Sequence, residues 1–147
     1  MKIQKMIWKI FQTLVKWISI KRTPSPEIAA EAIINKPTMR KINRIVLHCT
    51  ATSPYTTVKS ITNYWKNTLG WKSPGYHYMI KHDGFLVNIL PVDKFSNGVR
   101  GFNSDSIHIS YIGGATGDTR SALQKNTTKA LINKLRSELG HLPVTGH

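Results

Sequence analysis

His48 is the residue around which chemistry is first sought in this chain. It ends the apolar run Arg44-Ile45-Val46-Leu47, and Ser53-Pro54 closes the Thr-rich loop that follows. A histidine at the end of an internal strand combines a rigid scaffold with access to solvent, which suits a metal ligand or a general base. The competing reading is a histidine that only caps a strand. Cys49 follows directly, but alternation along a strand sends its side chain to the opposite face. It is the one cysteine, so no intramolecular disulfide forms, and the lack of a C-x-x-C pair excludes a four-cysteine zinc site. The other histidines invite blander readings. His77 is expected to pack or hydrogen bond within the fold. His108 lies between Ile107 and Ile109 and points off their face, His82 flanks a turn, and His141 follows a helix end. None of these four is expected to bind metal.

The elements that must position His48 follow from pattern. A strand over Ile45–Leu47 is followed by a helix capped by Thr57, with Val58, Ile61, Tyr64 or Trp65 and Leu69 as its apolar face and Gly70 as its stop. Tyr76 to His82 alternates as a strand. Asp83-Gly84 is a hairpin signal, and Phe85 to Leu90 returns. Pro91 to Ser106 reads as an irregular loop and Ile107 to Ile112 as a strand ended by Gly113-Gly114. A polar loop then runs to Asn126, a helix covers Thr127 to Leu139, and a short strand begins after His141. Strands interleaved with helices predict an α/β domain with a mixed sheet.

Charge and the N-terminal arm add a second theme. Twenty-one Lys and Arg against seven Asp and Glu give a net charge of +14 over 147 residues. Such a bias favours a polyanionic neighbour: nucleic acid, anionic lipid or a cell-wall polymer. No arginine-rich or RNA-binding motif accompanies it, so nucleic acid is not expected. Residues 1–22 predict a basic amphipathic helix: Ile3, Met6, Ile7, Ile10, Phe11, Leu14, Trp17 and Ile18 recur at helical spacing, with Lys2, Lys5, Lys9 and Lys16 opposite. That pattern suits an anionic membrane surface contacted through residues 1–20. Lys9 and Lys16 interrupt any run of about 20 apolar residues that a membrane span requires. A signal peptide, with Ala30-Glu31-Ala32 as a small-x-small site, is the rival. Residues 23–38 read as a proline-bearing linker, and 39–147 as the folded domain.

Five motifs in order support a resemblance: IVLHCTAT at 45–52, GW at 70–71, GYHYMIKHDG at 75–84, GFNSDSIHISYIGG at 101–114 and VTGH at 144–147. The domain resembles the zinc-dependent N-acetylmuramoyl-L-alanine amidases, the family that includes phage lysozyme-type amidases and peptidoglycan recognition proteins. The resemblance implies a central mixed sheet flanked by helices, with the amphipathic N-terminal helix added in front. It implies Zn2+ as cofactor and peptidoglycan as partner. By position, His48 matches the first zinc ligand and His147 the second. Tyr76 matches the tyrosine that points at the zinc-bound water and the scissile carbonyl. Asn103 is carried over as a substrate contact, and Trp71, an aromatic suited to lining a glycan groove, is a second candidate by residue type.

The family pattern continues with Arg-Asp and, further on, a third ligand, which the 147-residue sequence does not contain. A catalytic zinc uses three protein ligands and leaves a fourth position for water, whose pKa it lowers to about 7. With two ligands the expectation is impaired hydrolysis of the amide between N-acetylmuramic acid and L-alanine. The alternative is a non-catalytic peptidoglycan-binding or relic domain. The resemblance implies bacterial or phage origin, with the protein membrane-associated or exported to the envelope, or held in the cytoplasm until lysis.

Overall fold

The computed structural model describes residues 40–147. The expected amphipathic helix, the linker and the membrane-surface contact all fall outside the described residues.

The strands are β1 (Arg44–Cys49), β2 (Tyr78–Ile80), β3 (Leu86–Asn88), β4 (Ser106–Tyr111) and β5 (Val144–Gly146). They form one five-stranded sheet in the order β3-β2-β4-β1-β5. Only the β2–β3 hairpin is antiparallel; β2, β4, β1 and β5 run parallel. The mixed sheet expected from the sequence is therefore present. Its hairpin turns at Gly84, whose φ of +80° suits glycine. The two hairpin strands are shorter than the alternating runs at 76–82 and 85–90 suggested, because β2 pairs with β3 over only three residues.

Alternation along the strands divides the core. Ile45, Ile107, Ile109, Tyr78 and Ile80 face one side and bury against Leu131 and Leu135 of α2 (Ala122–Leu139). On the other side Met79 and Ile112 pack with Ile61 and Trp65. Ile61 belongs to α1 (Val58–Asn63), which Thr57 caps by accepting from the Ser60 amide. The expected single helix to Gly70 changes character midway. Tyr64–Thr68 is a π-helical turn, with the Leu69 N–H bonded back to the Tyr64 carbonyl at 3.1 Å. The wider turn seats Trp65 in the core, 8% exposed, and leaves Tyr64 at 53%.

Helix α2 begins five residues before the expected start at Thr127. The reason is a capping box: the Ser121 hydroxyl accepts from the Gln124 N–H at 3.0 Å, and the Ser121 N–H donates to Gln124 Oε1 at 3.0 Å. Gln124 is fully buried, and its Nε2 donates to the carbonyls of Ile80 (3.0 Å) and Ile112 (3.1 Å). One side chain thus ties the helix start to the ends of two strands. Replacing Gln124 by leucine strands these buried groups and is expected to cost about 2–4 kcal/mol, read from the urea midpoint. An unchanged midpoint would refute this account of the helix start.

The irregular loop over 91–105 is pinned by Arg40. Its Nε donates to the Val92 carbonyl at 2.6 Å, and its terminal nitrogens donate to the carbonyls of Asn103 (3.2 Å), Ser104 (3.0 Å) and Ser106 (2.8 Å). A single guanidinium supplies donors in several directions, so it can satisfy a loop that makes few ladder bonds of its own.

Candidate active site

Two neighbouring parallel strands bring their ends together here. β1 pairs with β5 in the register Leu47↔Gly146, so His48 and His147 follow at the same level. The His147 amide donates to the Leu47 carbonyl at 3.0 Å, and the two imidazoles lie 5.2 Å apart between centroids. His48 is buried, 6% exposed, whereas His147 is exposed. After His48 the chain turns sharply at Ala51, a non-glycine residue with φ +54°. That costly conformation is held by Thr50, whose Oγ1 meets Thr52 Oγ1 at 2.7 Å and accepts from the Gly113 N–H at 3.0 Å. The Thr-rich loop read from the sequence thus works as a clamp behind His48.

Tyr76 enters just ahead of β2. Its ring lies 5.0 Å from that of His48, and its hydroxyl donates to the Cys49 carbonyl at 3.3 Å. Burial raises the Tyr76 pKa above its ordinary value, against a partly offsetting hydrogen bond with Ser110. The hydroxyl is therefore a proton-bearing donor at neutral pH. Trp65 meets Tyr76 edge-on at 5.2 Å, and Trp71 stacks on Trp65 at 6.2 Å and 18°. An aromatic row thus leads from His48 outward to the partly exposed Trp71. A groove beside it is lined by Thr62, Trp65, Lys66, Trp71 and Lys72.

The sequence-predicted residues divide accordingly. The structure brings His48, Tyr76 and His147 together, with Trp71 at the far end of the aromatic row. Asn103 stays in the 91–105 loop, where its Oδ1 accepts from the Val99 N–H at 2.8 Å and so shapes the loop itself. Cys49 lines a hollow at this end of the sheet together with Leu47, His48, Ile109, Tyr111 and His147. His77 is buried and hydrogen bonded, as expected.

His108 was missed as a member of the site. It does point off the face of Ile107 and Ile109, but that places it on the His48 side, where its Nδ1 lies 2.9 Å from His48 Nε2. A signal was present in the sequence. β4 is the middle strand, and its residues on this side, Ser106, His108 and Ser110, are all polar yet fully or almost fully buried. A central strand covered on both faces ordinarily reads as continuously apolar.

Electrostatically the cluster is kept neutral. Burial, with repulsion from His108 and His147, pushes the His48 pKa down to about 3. His77 and His108 are each pushed down to about 4, burial again leading. Neutral imidazoles keep lone pairs available, as metal ligation requires. Among the described residues, however, no group of three or more His, Cys, Asp or Glu could hold a metal ion. The donor set fits a catalytic zinc at two positions, His48 and His147, and leaves the third protein position to be supplied.

Comparison with known proteins places the chain in a family. The family model described as N-acetylmuramoyl-L-alanine amidase matches residues 38–147. The endolysin of Klebsiella phage KP32 is 32% identical over 107 residues, covering 71% of this chain and 69% of the relative. The endolysin of Escherichia phage T7 is 33% identical over 97 residues, covering 65% of this chain and 62% of the relative. This chain therefore spans just under two thirds of the length of the T7 protein. Among solved structures, the Clostridium intestinale endolysin N-acetylmuramoyl-L-alanine amidase LysCS superposes with a TM-score of 0.67 at 24% identity, covering 74% of this chain and 70% of the other. PGRP-SA of Apis mellifera gives 0.67 at 23% identity, covering 74% and 72%. With the family model spanning the whole described domain, the chain belongs to the N-acetylmuramoyl-L-alanine amidase family.

Proposed function

We propose that this chain acts on peptidoglycan, hydrolysing the amide between the lactyl group of N-acetylmuramic acid and L-alanine, with zinc as cofactor. The observation that carries the reading is the meeting of His48, Tyr76 and His147 at one end of the sheet, from three segments far apart in sequence. His48 and His147 would hold the ion. Zinc held there would supply Lewis-acid polarisation of the carbonyl and a nucleophilic water near neutral pH. Tyr76 presents a protonated hydroxyl to the oxygen on which charge develops. Burial of His48 in neutral form keeps its lone pair available. The Trp65–Trp71 row and the flanking Lys66 and Lys72 offer an apolar wall and positive charge to an anionic glycopeptide. The phage endolysin relatives suit a phage protein made in the host cytoplasm and acting at lysis.

Two donors also favour a second reading, in which the 147-residue chain binds the wall without cutting it. One experiment separates the two. Purified peptidoglycan is incubated with the chain and zinc, new alanine N-termini are labelled, and co-sedimentation with the wall is measured alongside. Zinc-dependent release of alanine-initiated peptides, lost on His48→Ala, supports the amidase. Wall binding without new alanine N-termini supports the binding domain, and the absence of both overturns a role in the wall.

A further inference from the structure

His108 is fully buried in the middle strand and takes no part in the chemistry outlined above. Several separate contacts hold it against His48. Its Nδ1 lies 2.9 Å from His48 Nε2, with the rings 5.1 Å apart and tilted by 38°. Its other neighbour is His77, stacked nearly parallel at 6.0 Å and 9°. His77 is itself held in place: its Nδ1 accepts the His108 backbone N–H at 3.0 Å, and its Nε2 lies 3.0 Å from the Lys94 carbonyl and 3.1 Å from Arg40 Nη2. Gly98 completes the seat. A Cβ at that position would fall 2.2 Å from His108 Nδ1, the very atom that meets His48. The loop leaves out a side chain where this ring must lie.

We infer that His108 is a positioning residue for His48: it accepts the His48 Nε2–H and so leaves Nδ1 as the ring nitrogen that faces a metal ion. This rests on the reading of His48 as a zinc ligand. A neutral imidazole has one N–H and one lone pair. An N–H···N bond between two such rings therefore fixes both tautomers at once. If His108 donated, His48 would carry its proton on Nδ1, and that nitrogen could not ligate. If His48 donates, its Nδ1 lone pair is free and makes no hydrogen bond among the described residues. A ligating histidine ordinarily passes its second N–H to a carboxylate, a backbone carbonyl or water. Here the acceptor is another histidine. The arrangement carries a cost, because the His108 proton then sits on Nε2, which is buried without a partner. A seat this closely built around an unsatisfied ring is more than a strand needs for packing.

The test uses the isotope-labelled full chain and nitrogen NMR of its histidines. A through-hydrogen-bond coupling between His48 Nε2 and His108 Nδ1 is expected without metal. With zinc, the proton should sit on His48 Nε2 and the zinc-induced shift on His48 Nδ1. His108→Leu keeps the bulk but cannot accept, and should weaken zinc binding about 10- to 100-fold in competition with a chromophoric chelator. His108→Asn, whose amide oxygen accepts, should restore part of that loss. Gly98→Ala should weaken both the coupling and the affinity with both histidines intact, near-UV circular dichroism confirming that each variant is folded. The inference is overturned if the metal-free chain lacks the coupling, if zinc shifts His48 Nε2 instead, or if folded His108→Leu binds zinc as tightly as wild type. A wild-type chain in which zinc shifts neither His48 nor His147 would sink the zinc reading. The metal-free coupling would still decide whether His108 holds His48.

Discussion

Replacing Tyr76 by phenylalanine is expected to lower kcat for zinc-dependent amide cleavage by about 100- to 1,000-fold, the usual cost of losing one oxyanion donor. The substitution isolates the hydroxyl. The ring keeps its packing against His48 at 5.0 Å and Trp65 at 5.2 Å. The bonds lost in the resting protein are the 3.3 Å contact to the Cys49 carbonyl, long enough to contribute little, and the hydrogen bond with Ser110. Zinc affinity and thermal stability should therefore stay near wild type while turnover falls. The measurement is a steady-state rate of new alanine N-termini against zinc and peptidoglycan concentration. A variant retaining wild-type kcat would remove Tyr76 from the reaction, and one losing zinc affinity would give it a structural role.

Acid should unfold the metal-free chain well before its carboxylates titrate. His48, His77 and His108 have pKa values pushed down to about 3, 4 and 4, all led by burial. In the unfolded chain each returns to about 6.5. Below that value the unfolded state binds more protons, so stability falls with falling pH. The contribution is whole above about pH 6.5 and drains away toward about pH 4. Each histidine accounts for at most roughly 1.4 kcal/mol per pH unit, and three together make a steep slope. The rings cannot charge independently, because His48 and His108 are 2.9 Å apart. Asp83, Asp105 and Asp118 have lowered pKa values, so their loss comes at still lower pH. Thermal unfolding in chelator should show a marked fall in Tm between about pH 7 and about pH 5, where ordinary carboxylates remain largely ionised. A flat Tm over that interval would contradict the neutral buried cluster.

Local sequence determined much of this protein. The apolar run before His48, the Asp83-Gly84 hairpin and the Thr57 cap each depend on near neighbours, and each appears where its pattern placed it. The ordered motifs gave the family and matched His48, Tyr76 and His147, because those residues sit at strand ends that the motifs themselves define. Two helix boundaries escaped for a shared reason. The start of α2 depends on Gln124 reaching carbonyls on two strands 44 and 12 residues away, and the π-helical turn depends on where Trp65 finds its pocket.

His108 shows most clearly what only tertiary structure decided. Alternation placed its side chain off the Ile107–Ile109 face, and that was correct. Which residues lie on the other face depends on β4 inserting beside β1, so that His108 meets His48 across 60 residues of sequence. Gly98, from a loop with no regular pattern, then clears the space for the ring. Sequence spacing fixes which way a side chain points from its own strand. The order of strands in the sheet fixes what it finds there.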